Sequence, residues 1–406
     1  GPRAGFHYHR KMVPANLPDG VSMVPVYLRQ AGYYCTNNRK EDYNVVTGKV
    51  WNESSRTATW RKRPDKSQPF FHMQSFAMSH ESSLHFKWGQ INPDALNTKP
   101  AAVELPPYFP DTPLFRYTQA FYHDRMTVID SQIRKIVEQL KTDGVFDNTI
   151  IFYFGDHGGV LPRSKGYIYE GGLHVPLVVR FPEKYKHLFA ASHGSREDGF
   201  VSFIDFSPTV LRLAGLEVPG SMDGRPFAGE GVTAESMAER DEAFGYADRF
   251  DERYEFARSF RKGKYKYIRA YEHFYPDSMQ NNYRYRQLAF AQWRELHGKG
   301  KLNEAQSHFF NSKPVELLFD VEADPHEVEN LADSPEFQSV LKDLRGRLQQ
   351  KMKSIHDLSL YPESQMIDLA LNDGIAFGQE NSGEIDDLLE VVDLALLPFG
   401  QAEKKL

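Results

Sequence analysis

Cysteine is nearly absent: Cys35 is the only one in 406 residues. No internal disulfide can form, so the fold must rest on its apolar core, and cysteine usage fixes no redox compartment. Long hydrophobic runs are missing too. No stretch approaches the roughly 18 apolar residues that would argue for a membrane helix. Excess positive charge is lacking: 49 Lys and Arg stand against 55 Asp and Glu, and the formal net charge is −6. No global basic surface therefore suggests nucleic-acid binding. No internal repeat is visible. The opening GPRAGFHYHRK has no basic start followed by an apolar stretch, the mark of a secretory signal.

What is present fits a globular protein large enough for two domains, with 40% hydrophobic and 26% charged residues. Aromatics are abundant, at 29 Phe and 21 Tyr, and fill cores or line carbohydrate sites. Apolar spacing near 3.6 predicts a helix over 21–34. Residues 68–78 read as a buried strand, 98–113 as a proline-rich loop, and about 115–142 as a long amphipathic helix. TIIFYF (149–154) and VPLVVRF (175–181) read as strands. A helix is predicted over 206–215, with Ser207 as N-cap, Pro208 in the first turn and Gly215 at its end. Strands alternating with helices argue for an α/β domain with a largely parallel sheet.

The texture changes after about residue 235. Aromatic and basic residues alternate over 249–271, which predicts strands of a smaller sheet. Within them KYKYIR reads as the wet face of a strand or as a polyanion-binding strip. A strand, a turn and the start of a helix follow over 316–333, then a helix from about 335 to 355. The tail is acidic, with one apolar helix over 385–399 that needs a partner. The expected division is a core over 1–235, a smaller subdomain over 236–355 and a helical tail over 356–406.

The chemistry concentrates in FYFGDHGGVLPRSKGYIYEGG (152–172). An apolar strand delivers Asp156 and His157 at its C-terminal end, where open α/β sheets place ligands. Asp156 offers the hard oxygen that Ca²⁺ or Mg²⁺ prefers, and His157 a nitrogen. Arg163 and Lys165 follow, and cations beside such a loop suit a tetrahedral anion such as sulfate or phosphate. A tight turn with an Asp–His hydrogen bond is the plainer alternative. The cluster Arg249, Asp251, Glu252 and Arg253 has the chemistry to read sugar hydroxyls or carboxylates.

GDHGG followed by SKGYIYEGGLHVPLVVRFP resembles the formylglycine-dependent sulfatases of the alkaline-phosphatase superfamily. VSFIDFSPTVLRLAGLEVPGSMDGRPF, ELLFDVEADPHEVENLA and FFHMQSFAMSHESS extend the likeness over nearly the whole chain. The resemblance implies a large mixed, mainly parallel sheet flanked by helices, with a smaller C-terminal α+β subdomain. It also implies sulfate-ester hydrolysis by a formylglycine, with a divalent cation, usually Ca²⁺ and otherwise Mg²⁺, holding nucleophile and sulfate. By position, Asp156 and His157 match metal ligands, Lys165 the lysine on the sulfate, and His80 the acid that protonates the leaving alcohol. Lys40 falls on the lysine that supports nucleophile and sulfate. Asp42 falls where many members carry histidine, and His7 and His9 where members approach substrate.

Cys35 has arginine four residues on, as the formylglycine motif does, but lacks the motif's central proline. It also sits in the register of the Lys40 segment, so it is expected to be a core strand residue. The chain is thus expected to begin downstream of the nucleophile and of half the metal site. The implied substrate is a sulfated carbohydrate, such as a marine polysaccharide or a glycosaminoglycan. The implied location is periplasmic or secreted. A phosphomonoester or phosphodiester hydrolase on the same scaffold, and a non-catalytic binder of sulfated glycans, are the alternatives.

Overall fold

The computed structural model describes residues 15–370 and 372–397. His7 and His9 lie outside them. The chain forms two compact units interleaved in sequence. The first joins 1–75, 185–243 and 349–406; the second joins 76–184 and 244–348. The chain passes between the units at 75/76, 184/185, 243/244 and 348/349.

In the first unit, β1 (Tyr34–Asn38) is the middle strand of a parallel sheet between β2 (Glu53–Ser54) and β3 (Phe70–Gln74). The predicted helix near 21–34 is Val24–Gln30, with Pro25 in its first turn. Leu28, Cys35, Val50, Trp51 and Leu211 close a core around β1. Cys35 pairs with Phe71 and is wholly buried, as the sequence led us to expect. The helix Phe206–Leu213 starts where predicted and ends two residues sooner, and Ser207 lies inside it rather than capping it. Instead Asp205 gathers the region. Its carboxylate accepts from the N–H groups of Ser202 (3.0 Å) and Arg225 (2.8 Å) and from the Arg240 guanidinium (3.3 Å). The IDFSPT and DGRPF segments are therefore one buried clamp. The tail helix Ser382–Ala395 finds its partner locally, where Ile385 packs with Leu358, Tyr361, Met366 and Ala370.

In the second unit the long helix runs over Pro113–Thr142, one turn of residues close to prediction. Thr112 caps it by accepting from the Phe115 N–H, with Pro113 at the first position. The strands β4 (Ile151–Phe154) and β5 (Leu177–Arg180) pair antiparallel with each other. The strands expected to share one large parallel sheet are thus described in two separate sheets, one in each unit. A four-stranded sheet follows in the order β6 (Glu242–Ala247), β7 (Ala257–Lys262), β8 (Tyr265–Ala270) and β9 (Glu316–Asp320).

The KYKYIR strand is β8, and it is neither a wet face nor a polyanion strip. It lies between β7 and β9, so both its edges are paired. Lys266 is 1% exposed, its ammonium held by Glu327 (2.9 Å), Glu170 (3.1 Å) and the Ile168 carbonyl (2.8 Å). A buried cation is tolerable only with such partners.

Candidate active site

Where β4 ends, the chain enters the loop 155–172, which is tied at both ends. Gly155 N–H donates to the Pro176 carbonyl (3.2 Å) and Gly158 N–H to the Gly172 carbonyl (2.9 Å). A Cβ on residue 158 would lie 1.8 Å from the Gly171 carbonyl oxygen, so only glycine fits. Lys165 N–H donates to the Gly159 carbonyl at 2.9 Å, which brings the lysine back toward the start of the loop.

Arg163 and Arg253 hold this loop rather than face a substrate. Arg163 is 7% exposed, with φ of +61°. Its guanidinium lies 3.7 Å over the Tyr169 ring and donates to the carbonyls of His326 (2.9 Å) and Glu327 (2.8 Å). Arg253 is 1% exposed, pairs with Glu255, and donates to the Gly166 carbonyl. Both guanidinium groups are engaged within the fold, whereas the sequence suggested a tetrahedral anion for Arg163 and sugar for Arg253. Arg249 and Asp251 stay half-buried near the surface, where Arg249 Nε donates to the Asp251 carbonyl at 2.9 Å. Glu252 is exposed and accepts from Asn282 at 2.9 Å.

Lys165 carries its ammonium 3.0 Å from the Glu81 carboxylate, with 14% of its side chain exposed. Glu81 is 2% exposed and its other oxygen lies 3.3 Å from Arg284 Nε. His80, immediately before Glu81, caps a short 3-10 turn over Glu81–Leu84. Its Nδ1 accepts from the Ser82 N–H (3.2 Å) and faces the Ser82 hydroxyl (2.9 Å). In the neutral ring the proton then resides on Nε2. His80 is thus joined through its chain neighbour to Lys165, and the two proposed chemical groups share one support.

Asp156 is well exposed, and its Oδ1 lies 3.6 Å from His157 Nε2. His157 Nδ1 donates to the Gly158 carbonyl at 2.7 Å, which leaves Nε2 bare on the Asp156 side. Burial pushes the His157 pKa down, against the opposing pull of the Gly158 carbonyl and Asp156, so the ring is neutral near pH 7. A carboxylate oxygen and a bare imidazole nitrogen so placed fit a divalent cation as two of its donors. Among the described residues, no group of three or more His, Cys, Asp or Glu side chains is placed to hold a metal ion.

Lys40 and Asp42 belong to the first unit, past the end of β1. Their side chains lie 3.7 Å apart and both reach solvent. The Lys40 carbonyl is fixed by the buried Asn37 side chain at 3.0 Å. Two residues of the second unit escaped the sequence reading, Glu81 and Arg284. Glu81 carried a signal, a carboxylate directly after the candidate acid. Arg284, in the run NNYRYRQ, carried none.

A profile described as Sulfatase matches residues 26–216, and one described as N-sulphoglucosamine sulphohydrolase, C-terminal, matches 155–287. The chain is 35% identical over 390 residues to an ulvan-active sulfatase of Formosa agariphila, covering 87% of this chain and 63% of that protein. It therefore spans less than two thirds of that relative's length. Its fold is similar to that of a protein solved with its substrate D-glucosamine-2-N,6-O-disulfate, at TM-score 0.57 and 16% identity, over 86% of this chain and 85% of the other. It is also similar to the phosphonate monoester hydrolase of Agrobacterium radiobacter, at TM-score 0.55 and 16% identity, over 85% and 83%. The motifs around Asp156, His157 and Lys165 lie inside the matched span, and the chain carries a sulfatase-family match over 26–216 within an alkaline-phosphatase-like fold.

Proposed function

We propose that this chain carries the sulfate-binding and leaving-group side of a sulfuric ester hydrolase acting on a sulfated carbohydrate. The observation that carries this reading is the placement of Lys165: a cation at a fixed point, sharing its loop with Asp156 and His157 and its support with His80. Lys165 donates N–H to a sulfate oxygen and offsets charge that builds there as the ester bond breaks. His80 supplies a proton from Nε2 to the departing sugar oxygen. In its doubly protonated form Nδ1–H turns to the Ser82 hydroxyl, which accepts it. Asp156 and His157 would hold a divalent cation, Ca²⁺ first and Mg²⁺ second, which supplies Lewis-acid stabilisation of sulfate oxygens when bound. Cys35 is buried in β1, so in this reading it is not the formylglycine position. Lys40 is kept as a lysine for nucleophile and sulfate and Asp42 as a substrate contact, on the family resemblance alone, and Arg249 and Asp251 are assigned to sugar contacts. His7 and His9 are kept as substrate contacts. The usual export of the family supports a periplasmic or secreted location in this reading.

The ulvan-active name of the relative and the sulfated amino sugar of the structural neighbour support a glycan substrate. The second reading, phosphoester hydrolysis, draws on the nitrogen donor of His157 and on the phosphonate monoester hydrolase with the same fold. Calorimetric titration with sulfated and unsulfated glucosamine separates these. Sulfated sugar is expected to bind at least about tenfold more tightly, as loss of a charge-assisted contact implies. Lys165→Ala should abolish that preference. Equal affinity for the two sugars would overturn the proposal, and a preference for phosphorylated over sulfated sugar would favour the second reading.

A further inference from the structure

Lys165 does not stand on its own. Its ammonium faces one oxygen of Glu81, whose other oxygen faces Arg284 Nε. Glu81 and Arg284 are both 2% exposed. The Arg284 guanidinium lies 4.3 Å over the Phe250 ring and 4.9 Å over that of Tyr167, and none of its three nitrogens makes a hydrogen bond within this arrangement. Its Nη2 fills the space a side chain on residue 166 would take: a Cβ there would come within 2.5 Å of it, at a φ of +75°. A buried guanidinium with so little hydrogen bonding contributes through its charge, and among the described residues the one carboxylate in ion-pair range is Glu81. Glu81 in turn is the residue next to His80.

We infer that Glu81, clamped by Arg284, is a positioning residue that aims both Lys165 and His80. It takes one N–H of the Lys165 ammonium at 3.0 Å and leaves the remaining N–H groups for an anion. Because the Glu81 backbone continues directly into His80, the same clamp sets the distance between cation and proton donor. Two rigidly held groups gain far more in catalysis than two mobile ones. The lysine is followed by glycine because Arg284 occupies the neighbouring volume. This inference rests on the assignment of Lys165 to the sulfate.

Titration of the full chain with inorganic sulfate tests it, because positioning and simple electrostatics predict opposite signs. Glu81→Gln removes a negative charge beside the anion, which by Coulomb's law alone tightens binding. The positioning role predicts that binding weakens about tenfold, the scale of one misaligned charge-assisted hydrogen bond. Glu81→Asp, which restores the charge on a shorter arm, should recover part of that loss. The Lys165 ammonium cross-peak in a ¹H–¹⁵N spectrum, assigned by its disappearance in Lys165→Ala, should vanish in Glu81→Gln and return in Glu81→Asp. If Lys165→Ala leaves sulfate affinity unchanged, the assignment of Lys165 itself fails. If Lys165→Ala weakens binding while Glu81→Gln matches or exceeds the wild type, the positioning role is overturned and the functional proposal stands. Should Glu81→Gln unfold, Arg284→Met carries the test: weaker sulfate binding is expected, and wild-type affinity overturns the inference.

Discussion

Cys35 shows how far a single residue can be read. Its spacing to Arg39 imitates a nucleophile motif, but β1 places its side chain in the core with no exposure. Burial pushes its thiol up to about 12, against a weak opposing effect of Arg29. A thiol that is both unexposed and protonated is a poor nucleophile. Native protein at pH 8 is expected to give no reaction with a disulfide reagent, and one equivalent after denaturation; rapid labelling of the native state would contradict this. The loop glycines make a second prediction. Gly158→Ala should lower the melting temperature strongly, since its Cβ meets a backbone oxygen rather than a movable side chain. A calorimetric scan showing no shift would contradict the loop geometry. Asp156, His157 and Lys165 could be singled out in the sequence because they lie in one short motif. Arg284 was not, because 119 positions separate it from Lys165 and nothing local marks it. The burial of Arg163 and Arg253 was not legible, since charge in a sequence does not say whether the side chain faces water or carbonyl oxygens.

Among the elements, β8 carries the clearest lesson. Alternating lysine and tyrosine imply one wet face, yet Lys266 is buried against Glu170 and Glu327. Lys266→Met leaves two buried carboxylates without their shared cation, and should destabilise by about 3–5 kcal/mol. Lys264, at the hairpin turn before β8, pairs with Asp320 in the open, and Lys264→Ala should leave the unfolding curve where it is. Equal effects at the two positions would mean β8 is not an interior strand. The strand was legible from its aromatic residues; its burial was not, because carboxylates from distant segments make it tolerable. The long helix Pro113–Thr142 was the easiest element to read, since its caps and its period are local. The first-unit helix Phe206–Leu213 was read with the wrong cap because Asp205 is engaged by residues about 20 and 35 positions on.

At the scale of the whole molecule, two glutamates set opposite pH trends. Burial raises the pKa of Glu170, but His174, Lys266 and Arg261 more than reverse this and bring it from 4.5 to about 2. A depressed carboxylate contributes stability above its unfolded value, lost as pH falls from about 4.5 toward 2, and worth about 3 kcal/mol. Glu272 goes the other way, raised to about 7 by burial and by the nearby Glu255. Its contribution is full below about 4.5 and lost as pH rises through 7. Since Glu272 is partly exposed, the change is discounted to about 1 kcal/mol. Glu272→Gln should therefore stabilise the protein at pH 8 and not at pH 4, and denaturant melts at the two values check it. The fold family was legible from motifs in a fixed order, because those motifs encode clamps such as Asp205 with the Arg225 N–H as well as chemistry. The interleaving of two units was not, since compactness depends on contacts between distant segments.

Release of sulfate from a sulfated glycan tests the central claim most directly. The full gene product, assayed with calcium on sulfated polysaccharides, glycosaminoglycans and a phosphonate monoester, should release sulfate faster than it cleaves the phosphonate. Lys165→Ala should reduce that rate by about 100-fold or more, as removal of a donor to developing charge does elsewhere. Preference for the phosphonate, or undiminished sulfate release by Lys165→Ala, would contradict the account.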